Sequence, residues 1–133
     1  MLLWPFGRGR LLADPKRLGR WGENQALRFL RRRGLRTIAR NFRCDGGELD
    51  LIVADPEGMV AFVEVKTRRN EDFAQAQDAV TPEKRHRMTR AAKVFARKYR
   101  LENRPMRFDV VAVILGDSMQ PEIRHYPNAF RPR

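Results

Sequence analysis

The sequence contains one cysteine, Cys44, and only two histidines, His86 and His125. A single cysteine excludes an internal disulfide and a zinc cluster built from thiolates, and it is compatible with a reducing cytosol. Neither histidine has a partner at the spacing of a metal site, so we expect both to be surface residues or satisfied structural ones. A functional site therefore has to be built from other residue types.

Long apolar runs are also absent, and no stretch has the length of a membrane-spanning helix. The apolar start of the chain is interrupted by Pro5 and Gly7 and is too short for the hydrophobic region of a signal peptide. With 42% hydrophobic and 33% charged residues, the 133-residue chain is typical of one folded domain. We expect a cytoplasmic protein with no membrane association, in which 1–15 is a flexible arm, 16–126 is the domain and 127–133 is a basic tail.

Acidic residues are few compared with basic ones, 16 against 28, and the formal net charge is +12. The positive excess is spread along the chain, which indicates a surface that binds a polyanion, with nucleic acid as the leading partner class.

The most basic segment follows a strong helix start, Thr81-Pro82-Glu83-Lys84. No acidic residue lies between Glu83 and Glu102, so ion pairing along the helix does not explain its many cations. Contact with phosphate is the better explanation. The predicted nucleic-acid-binding residues are Arg68, Lys84, Arg85, Arg87 and Arg90.

A predicted β-hairpin between Gly47 and Arg68 carries charges that a buried strand should not have. The odd positions of its two strands are all apolar, from Leu49 to Val53 and from Met59 to Val65, which places them on one face and predicts antiparallel pairing in which facing residue numbers sum to 114. Two carboxylates, Asp50 and Glu64, then face each other, and Glu48 faces Lys66. Facing like charges are destabilising unless a cation is shared or one carboxylate is protonated.

A shared metal ion is the most economical explanation for the two carboxylates. Oxygen ligands of this kind suit Mg²⁺ or Mn²⁺. Glu23 is a third candidate ligand, because it is aligned with the apolar stripe of a predicted helix over 16–33, although a glutamate there also suits the helix dipole. Lys66 lies on the same strand face as Glu64 and can stabilise charge on a phosphate or assist an attacking water. For Glu48 a salt bridge is favoured over a ligand role. The residues predict metal-dependent hydrolysis of a phosphodiester.

The remaining pattern predicts an α/β fold with a central mixed β-sheet and helices on both faces. A short edge strand is expected over 35–41 and a last strand over 122–126. The segment Phe108 to Leu115 is apolar on both faces and should be a central strand. A polar loop is expected over 69–78, beside the charged end of the hairpin.

Asp50, an apolar hairpin and then Glu64-Val65-Lys66 resemble the D…ExK signature of the restriction-endonuclease-like superfamily, known as PD-(D/E)xK. Glu23 resembles the helical acidic residue that precedes this signature in many members. The blocks GRWGENQA, NFRCDGGELDLI, FVEVKTR, RFDVVAV and the terminal NAF are similar to the bacterial YraN family. This resemblance covers most of the chain from about Gly19 to Phe130.

The resemblance implies a restriction-endonuclease-like core of helix, three strands, helix and strand, similar to archaeal Holliday junction resolvases. Those proteins act as dimers on branched DNA. Carried over to this chain, Asp50 and Glu64 would be metal ligands, Lys66 the catalytic lysine and Glu23 an auxiliary acid.

Three functional hypotheses follow. The first is a magnesium-dependent endonuclease acting on DNA, with branched DNA as the expected substrate and a homodimer expected by analogy. The second is a binding module for DNA or RNA that keeps the fold and does not cleave. The third, a basic structural or ribosome-associated protein, gives no purpose to paired carboxylates on strands.

Overall fold

In the part of the chain that the structure describes, two helices and five strands follow one another in the order that the resemblance implies, helix, three strands, helix and strand, with one further strand at the end. The structure, a computed structural model, describes residues 13–69, 80–116 and 120–132. The predicted arm and the predicted loop over 69–78 lie almost wholly outside the described residues. The elements are α1 (Pro15–Arg32), β1 (Arg36–Cys44), β2 (Gly47–Ala54), β3 (Val60–Arg68), α2 (Pro82–Lys98), β4 (Met106–Ile114) and β5 (Glu122–Phe130).

The five strands form one mixed sheet in the order β1-β2-β3-β4-β5. All neighbouring pairs are antiparallel except β3 and β4, which are parallel and are connected through α2. The predicted hairpin register is confirmed near the turn, where Ala54 pairs with Val60 and Ile52 pairs with Phe62. The predicted α/β class and the central position of β4 are also confirmed.

Each face of the sheet is covered by one of the two described helices. On one face α1 buries Ala26, Leu27 and Leu30 against odd-numbered residues of β2 and β3. On the other face α2 packs against the even-numbered residues, including Ile52 and Phe62. This alternation follows from the two-residue period of strands, and it gives the domain two apolar layers.

The interpretation that every odd position of the hairpin shares one face is wrong for Leu49. Leu49 is buried in the cluster around α2, whereas Leu51 is buried in the cluster around α1. The alternation is therefore interrupted at Asp50. On β1 the residue opposite Asp50 is Asn41, between the pairs Arg40 with Leu51 and Phe42 with Leu49, and its φ of +50° is left-handed.

Local capping determines where the helices begin and end. Asp14 caps α1 by accepting a hydrogen bond from the backbone N–H of Lys16 at 3.0 Å, and Gly34 ends it with a left-handed φ of +87°. Thr81 caps α2, as predicted, by accepting from the N–H of Lys84 at 3.2 Å. None of the described helices is long and apolar enough to cross a membrane.

The last strand is longer than predicted. β5 continues from Glu122 to Phe130, so four residues that the sequence analysis placed in the basic tail lie in the sheet. Phe130 is buried and its ring stacks on Phe108, with 5.0 Å between centroids.

Candidate functional site

The site lies where the pairing between β2 and β3 stops. The last paired residues are Leu51 and Val63. One position further, the side chain of Asp50 replaces a strand carbonyl as the hydrogen-bond acceptor. Its Oδ2 accepts a hydrogen bond from the backbone N–H of Val65 at 2.9 Å. A buried N–H needs an acceptor, and a carboxylate supplies one in place of a strand carbonyl. The aspartate is thus fixed at the open end of the hairpin.

Glu64 meets Asp50 at this open end, as predicted, although the two residues do not pair in the β2–β3 ladder. The side chain of Glu64 is 5% exposed, and its Oε1 has no hydrogen-bond partner among the described residues. Burial, and next the charge of Asp50, raise the pKa of Glu64 to about 7. The proximity of the two carboxyl groups adds to this shift. The pair is therefore ready to share either a proton or a cation.

Two lysines balance part of this negative charge. Lys66 Nζ lies 3.2 Å from Glu64 Oε2, and Lys84 Nζ lies 3.6 Å from Glu64 Oε1. Lys84 also donates a hydrogen bond to Glu48 Oε1 at 3.1 Å. The predicted pairing of Glu48 with Lys66 is therefore wrong: Glu48 does form salt bridges, but with Lys84 and with Arg87, the latter at 3.1 Å.

These partners of Glu48 come from a close approach between β2 and α2. A Cβ added to Gly47 would lie 2.6 Å from the carbonyl oxygen of Arg87 and 2.9 Å from the backbone nitrogen of Ala91. Only glycine permits such contact with a helix backbone. The start of β2 therefore rests on α2, which places Glu48 and Glu64 beside the first turn of that helix. The hydrogen bond from Lys84 is the largest factor that lowers the pKa of Glu48.

Glu23 reaches the site because α1 also packs very closely on the sheet. A Cβ added to Gly22 would lie 1.8 Å from Thr67 Oγ1, so the glycine lets the helix touch β3. Burial, and next the charge of Asp50, raise the pKa of Glu23, whereas Asn41 and Arg40 lower it. Arg40 Nη2 lies 3.8 Å from Glu23 Oε1. The inward orientation predicted for Glu23 is confirmed, and its role in chemistry stays a prediction.

The observed arrangement of these carboxylates can be compared with the metal site that the sequence predicts. Within the described parts of the chain, no three Asp, Glu, His or Cys side chains form a group that could hold a metal ion. Asp50 and Glu64 nevertheless fit a hard cation that keeps several waters, because they carry like charges in contact and Glu64 Oε1 is buried without a hydrogen bond. The three-carboxylate set with Glu23 stays a prediction.

The five cations predicted to bind nucleic acid occupy different environments. Lys84 lies inside the carboxylate site. Arg85 is held by the fold, since its Nε donates to the carbonyl oxygen of Val80 at 3.1 Å and its guanidinium lies 5.1 Å from the Phe130 ring centre. Arg68 donates to the carbonyl oxygen of Thr67 at 3.0 Å.

The other two of these cations, Arg87 and Arg90, have exposed side chains at the surface of α2. Arg87 pairs with Glu48, and Arg90 donates to the carbonyl oxygen of Asp45 in the β1–β2 turn. Both therefore connect the exposed side of α2 with the start of β2. Their contact with nucleic acid stays a prediction.

Sequence reasoning assigned Lys84 to nucleic-acid binding and missed its place beside Glu64. The sequence contained an indication of this contact. A cation in the first turn of a helix is disfavoured by the helix dipole, so it is expected to have a compensating interaction. Here the compensating interactions are the salt bridges of Lys84 with Glu48 and Glu64. Burial lowers the pKa of Lys84 and the charge of Glu64 raises it, with a net upward shift.

Comparison with known proteins identifies relatives along most of this chain. Residues 22–113 match the family described as "Uncharacterised protein family UPF0102". A UPF0102 protein from Trichlorobacter lovleyi is 45% identical over 113 residues, which cover 85% of this chain and 89% of the relative. A UPF0102 protein from Geotalea uraniireducens is 46% identical over 118 residues, covering 89% of this chain and 92% of the relative.

Proposed function

The chain belongs to the UPF0102 family, the same family as YraN, and we propose that it is a metal-dependent endonuclease that hydrolyses phosphodiester bonds in nucleic acid. The observation that carries this proposal is the buried contact between Asp50 and Glu64, with Lys66 Nζ 3.2 Å from Glu64. Carboxylates with raised pKa values gathered beside lysines are typical of functional sites, since such an arrangement costs stability. A basic helix beside the pair supplies a surface for a polyanionic substrate.

In this proposal Asp50 and Glu64 hold Mg²⁺ or Mn²⁺, with Glu23 near enough to Asp50 to act as an auxiliary acid. When bound, the metal ion stabilises charge on the phosphate and activates water as a nucleophile. The backbone N–H of Val65 holds the Asp50 carboxylate in a fixed orientation. Glu64 has to be ionised to accept the cation, so metal binding displaces the proton that its raised pKa favours.

Lys66 is the second functional group of the proposed site. In the free protein its ammonium group is held against Glu64 Oε2. With a metal ion held by Glu64, the Lys66 ammonium would be available to the oxygen atoms of the scissile phosphate, where it would stabilise developing negative charge. Lys84 remains bound to Glu48 and keeps a positive charge next to the Glu64 carboxylate.

The finer assignments rest on the resemblance to resolvases and on the composition. We infer that DNA is the substrate, that branched DNA is preferred, that a homodimer is the active form and that the protein acts in the cytoplasm. One observation favours a different function, a nucleic-acid-binding module that does not cleave. That observation is that the described residues do not assemble three metal-ligating side chains.

Cleavage assays separate the two functions. Linear, flapped and four-way-junction DNAs should be incubated with the protein, with and without Mg²⁺ or Mn²⁺. We expect metal-dependent cleavage that falls by roughly 10²- to 10³-fold in Lys66→Met and at least as much in Glu64→Gln. A matched control is Glu57→Gln, because Glu57 is exposed at the other end of the same hairpin, and this variant should cleave normally.

Binding to all three DNAs without metal-dependent cleavage would rule out the endonuclease and support the binding module. Equal cleavage by Glu64→Gln and the unchanged protein would indicate a contaminating nuclease. Metal binding is tested separately by the melting temperature. Mg²⁺ at ten times its Kd should stabilise the protein by about 1.4 kcal/mol, and Glu64→Gln should remove this effect while Glu57→Gln keeps it.

A further inference from the structure

A basic groove runs along the exposed side of α2, outside the carboxylate site. It encloses about 760 Å³, and its lining includes His86, Arg87, Arg90, Lys93, Arg97 and Lys98. No acidic side chain of the described residues lines it. Three of its residues, Lys93, Arg97 and Lys98, belong to the basic segment for which the sequence favours phosphate contact, and they extend the named set of nucleic-acid-binding residues. We propose that this groove binds the sugar-phosphate backbone of a nucleic-acid strand at a distance from the scissile bond.

The spacing of these side chains fits an extended polyanion. His86, Arg90, Lys93 and Arg97 are separated by four, three and four residues, so they lie on one side of α2. From the first to the last, the helix rises about 16 Å. This length is long enough to contact several successive phosphates of one strand. A small anion would need only part of such a row, whereas a nucleic-acid strand can occupy all of it.

Exposure and charge support the same occupant. The side chains of Lys93 and Arg97 are exposed, and the buried residues of α2, such as Met88 and Phe95, lie on its other side. The positive charges along the groove repel one another and have no acidic neighbour in its lining. A phosphate backbone removes this repulsion and releases its own counterions, which favours binding.

The groove is connected to the carboxylate site through Arg87. This arginine lines the groove and also contacts Glu48 at 3.1 Å. Glu48 accepts a hydrogen bond from Lys84, whose Nζ is 3.6 Å from Glu64. A strand held in the groove can therefore continue past Arg87 toward Asp50 and Glu64. This inference rests on the proposed function for the identity of the ligand, and it adds a second binding region to it.

Removal of two groove cations tests the inference. The double variant Lys93→Ala/Arg97→Ala should bind a fluorescently labelled four-way junction about tenfold more weakly, in fluorescence anisotropy without divalent metal. The slope of log affinity against log salt should become shallower by about 2, since two phosphate contacts are lost. The charge-preserving variant Lys93→Arg/Arg97→Lys should restore both values.

The matched control is Arg31→Ala/Arg36→Ala, which removes the same charge from exposed positions outside the groove and should bind DNA like the unchanged protein. Circular dichroism checks that every variant is folded. Equal losses in the two alanine pairs would overturn the groove, because only total charge would matter. Binding of poly-glutamate with the affinity of DNA would also overturn it, in favour of an acidic protein partner.

The result for the groove is independent of the result for cleavage. If the unchanged protein cleaves no DNA and Lys93→Ala/Arg97→Ala still loses affinity, the groove stands and the endonuclease fails. If the protein cleaves DNA and the groove variant binds with unchanged affinity, the groove fails and the endonuclease stands.

Discussion

Asp109 and Glu64 are buried carboxylates on neighbouring strands, β4 and β3, and they have opposite environments. Asp109 is fully buried and both of its oxygens are satisfied. Arg107 donates to Oδ1 and Oδ2 at 2.9 and 3.1 Å, the N–H of Asn128 donates to Oδ1 at 2.9 Å, and His125 Nε2 lies 2.8 Å from Oδ2. Burial raises the pKa of Asp109, but the bonds from His125, Arg107 and Asn128 outweigh it and hold the pKa below its usual value.

Glu64 has nearly the same burial and far fewer partners. Its Oε1 has no hydrogen-bond partner in the part of the chain that the structure describes, and its pKa is raised to about 7 by burial first and by the charge of Asp50 next. The satisfied carboxylate ties β4 to β5 and stabilises the fold. The unsatisfied one is tolerated at a cost, which is what a site kept for a ligand requires. Burial alone does not distinguish a structural carboxylate from a functional one, whereas hydrogen-bond satisfaction does.

The largest expected effect is the loss of the Asp109 network. Asp109→Asn removes the charge that Arg107 pairs with, and one amide cannot accept from three donors while offering its own N–H groups. Breaking a buried ion pair from one side costs about 3–5 kcal/mol. We expect this decrease in the free energy of unfolding in urea at pH 8.

The control for Asp109→Asn is Glu64→Gln, which should lose no stability under the same conditions. A decrease of less than about 1 kcal/mol in Asp109→Asn would contradict the structural role. A decrease of similar size in both variants would remove the distinction between the two carboxylates.

The second expected effect is a pH dependence due to Glu64. Its pKa is raised from 4.5 in the unfolded chain to about 7 in the folded one, so folding favours the protonated form. The free energy of unfolding should therefore fall as the pH rises from about 4.5 to 7, by roughly 3 kcal/mol from this group. Glu64→Gln lacks this loss, and relative to the unchanged protein it should gain stability between pH 4.5 and pH 8.

Urea denaturation of both proteins at these two pH values measures the difference. A constant difference between them would mean that the Glu64 carboxyl has an ordinary pKa. Asp109 contributes with the opposite sign, because its pKa is lowered in the folded state. Its contribution to stability is complete above the unfolded value of 3.8 and is lost only as the pH falls through the folded value.

The smallest expected effect concerns the packing of α1 on β3, next to Asp50 and Glu64. In Gly22→Ala the new methyl group would meet Thr67 Oγ1 at 1.8 Å, so the helix or the Thr67 side chain has to move, and we expect the helix to move. We expect a loss of about 1–2 kcal/mol in thermal or urea unfolding, since overpacking exceeds the gain in helix propensity. DNA cleavage should decrease as well, because the movement takes Glu23 away from Asp50.

Gly19→Ala is the matched control in the same helix, where a Cβ meets nothing within 4 Å. This variant should gain up to about 1 kcal/mol of stability from helix propensity alone. Equal stability of the two alanine variants would show that α1 and β3 accommodate the added methyl group without strain. Glu23 would then be less firmly placed than the structure indicates.

Much of the fold was predictable because its signals are local. Thr81 and Pro82 mark the start of α2 by capping, and Gly34 marks the end of α1. Alternating apolar residues gave the hairpin register near its turn, since only one register buries a continuous apolar face. The same register predicts, from the sequence alone, that Asp50 and Glu64 lie close together.

The Asp109 network was not predicted, because Arg107, His125 and Asn128 come from two strands whose register no local pattern specifies. The prediction for Glu48 failed for a related reason. It extended a regular ladder past Asp50, where the ladder stops, and it had no information on the approach of α2 to Gly47. Leu49 changes its packing partner at the same interruption.

The sequence by itself determined the order of the elements, the two-sided burial of the sheet and the residue types at the open end of the hairpin. These follow from periodicity, capping and charge, which act over a few residues. Only the tertiary structure decided that Lys84 sits between Glu48 and Glu64, that Asp109 is satisfied and that the cations of α2 line a groove. Burial and hydrogen-bond partners depend on how distant segments pack, and they separate a carboxylate that holds the fold together from one left free for chemistry.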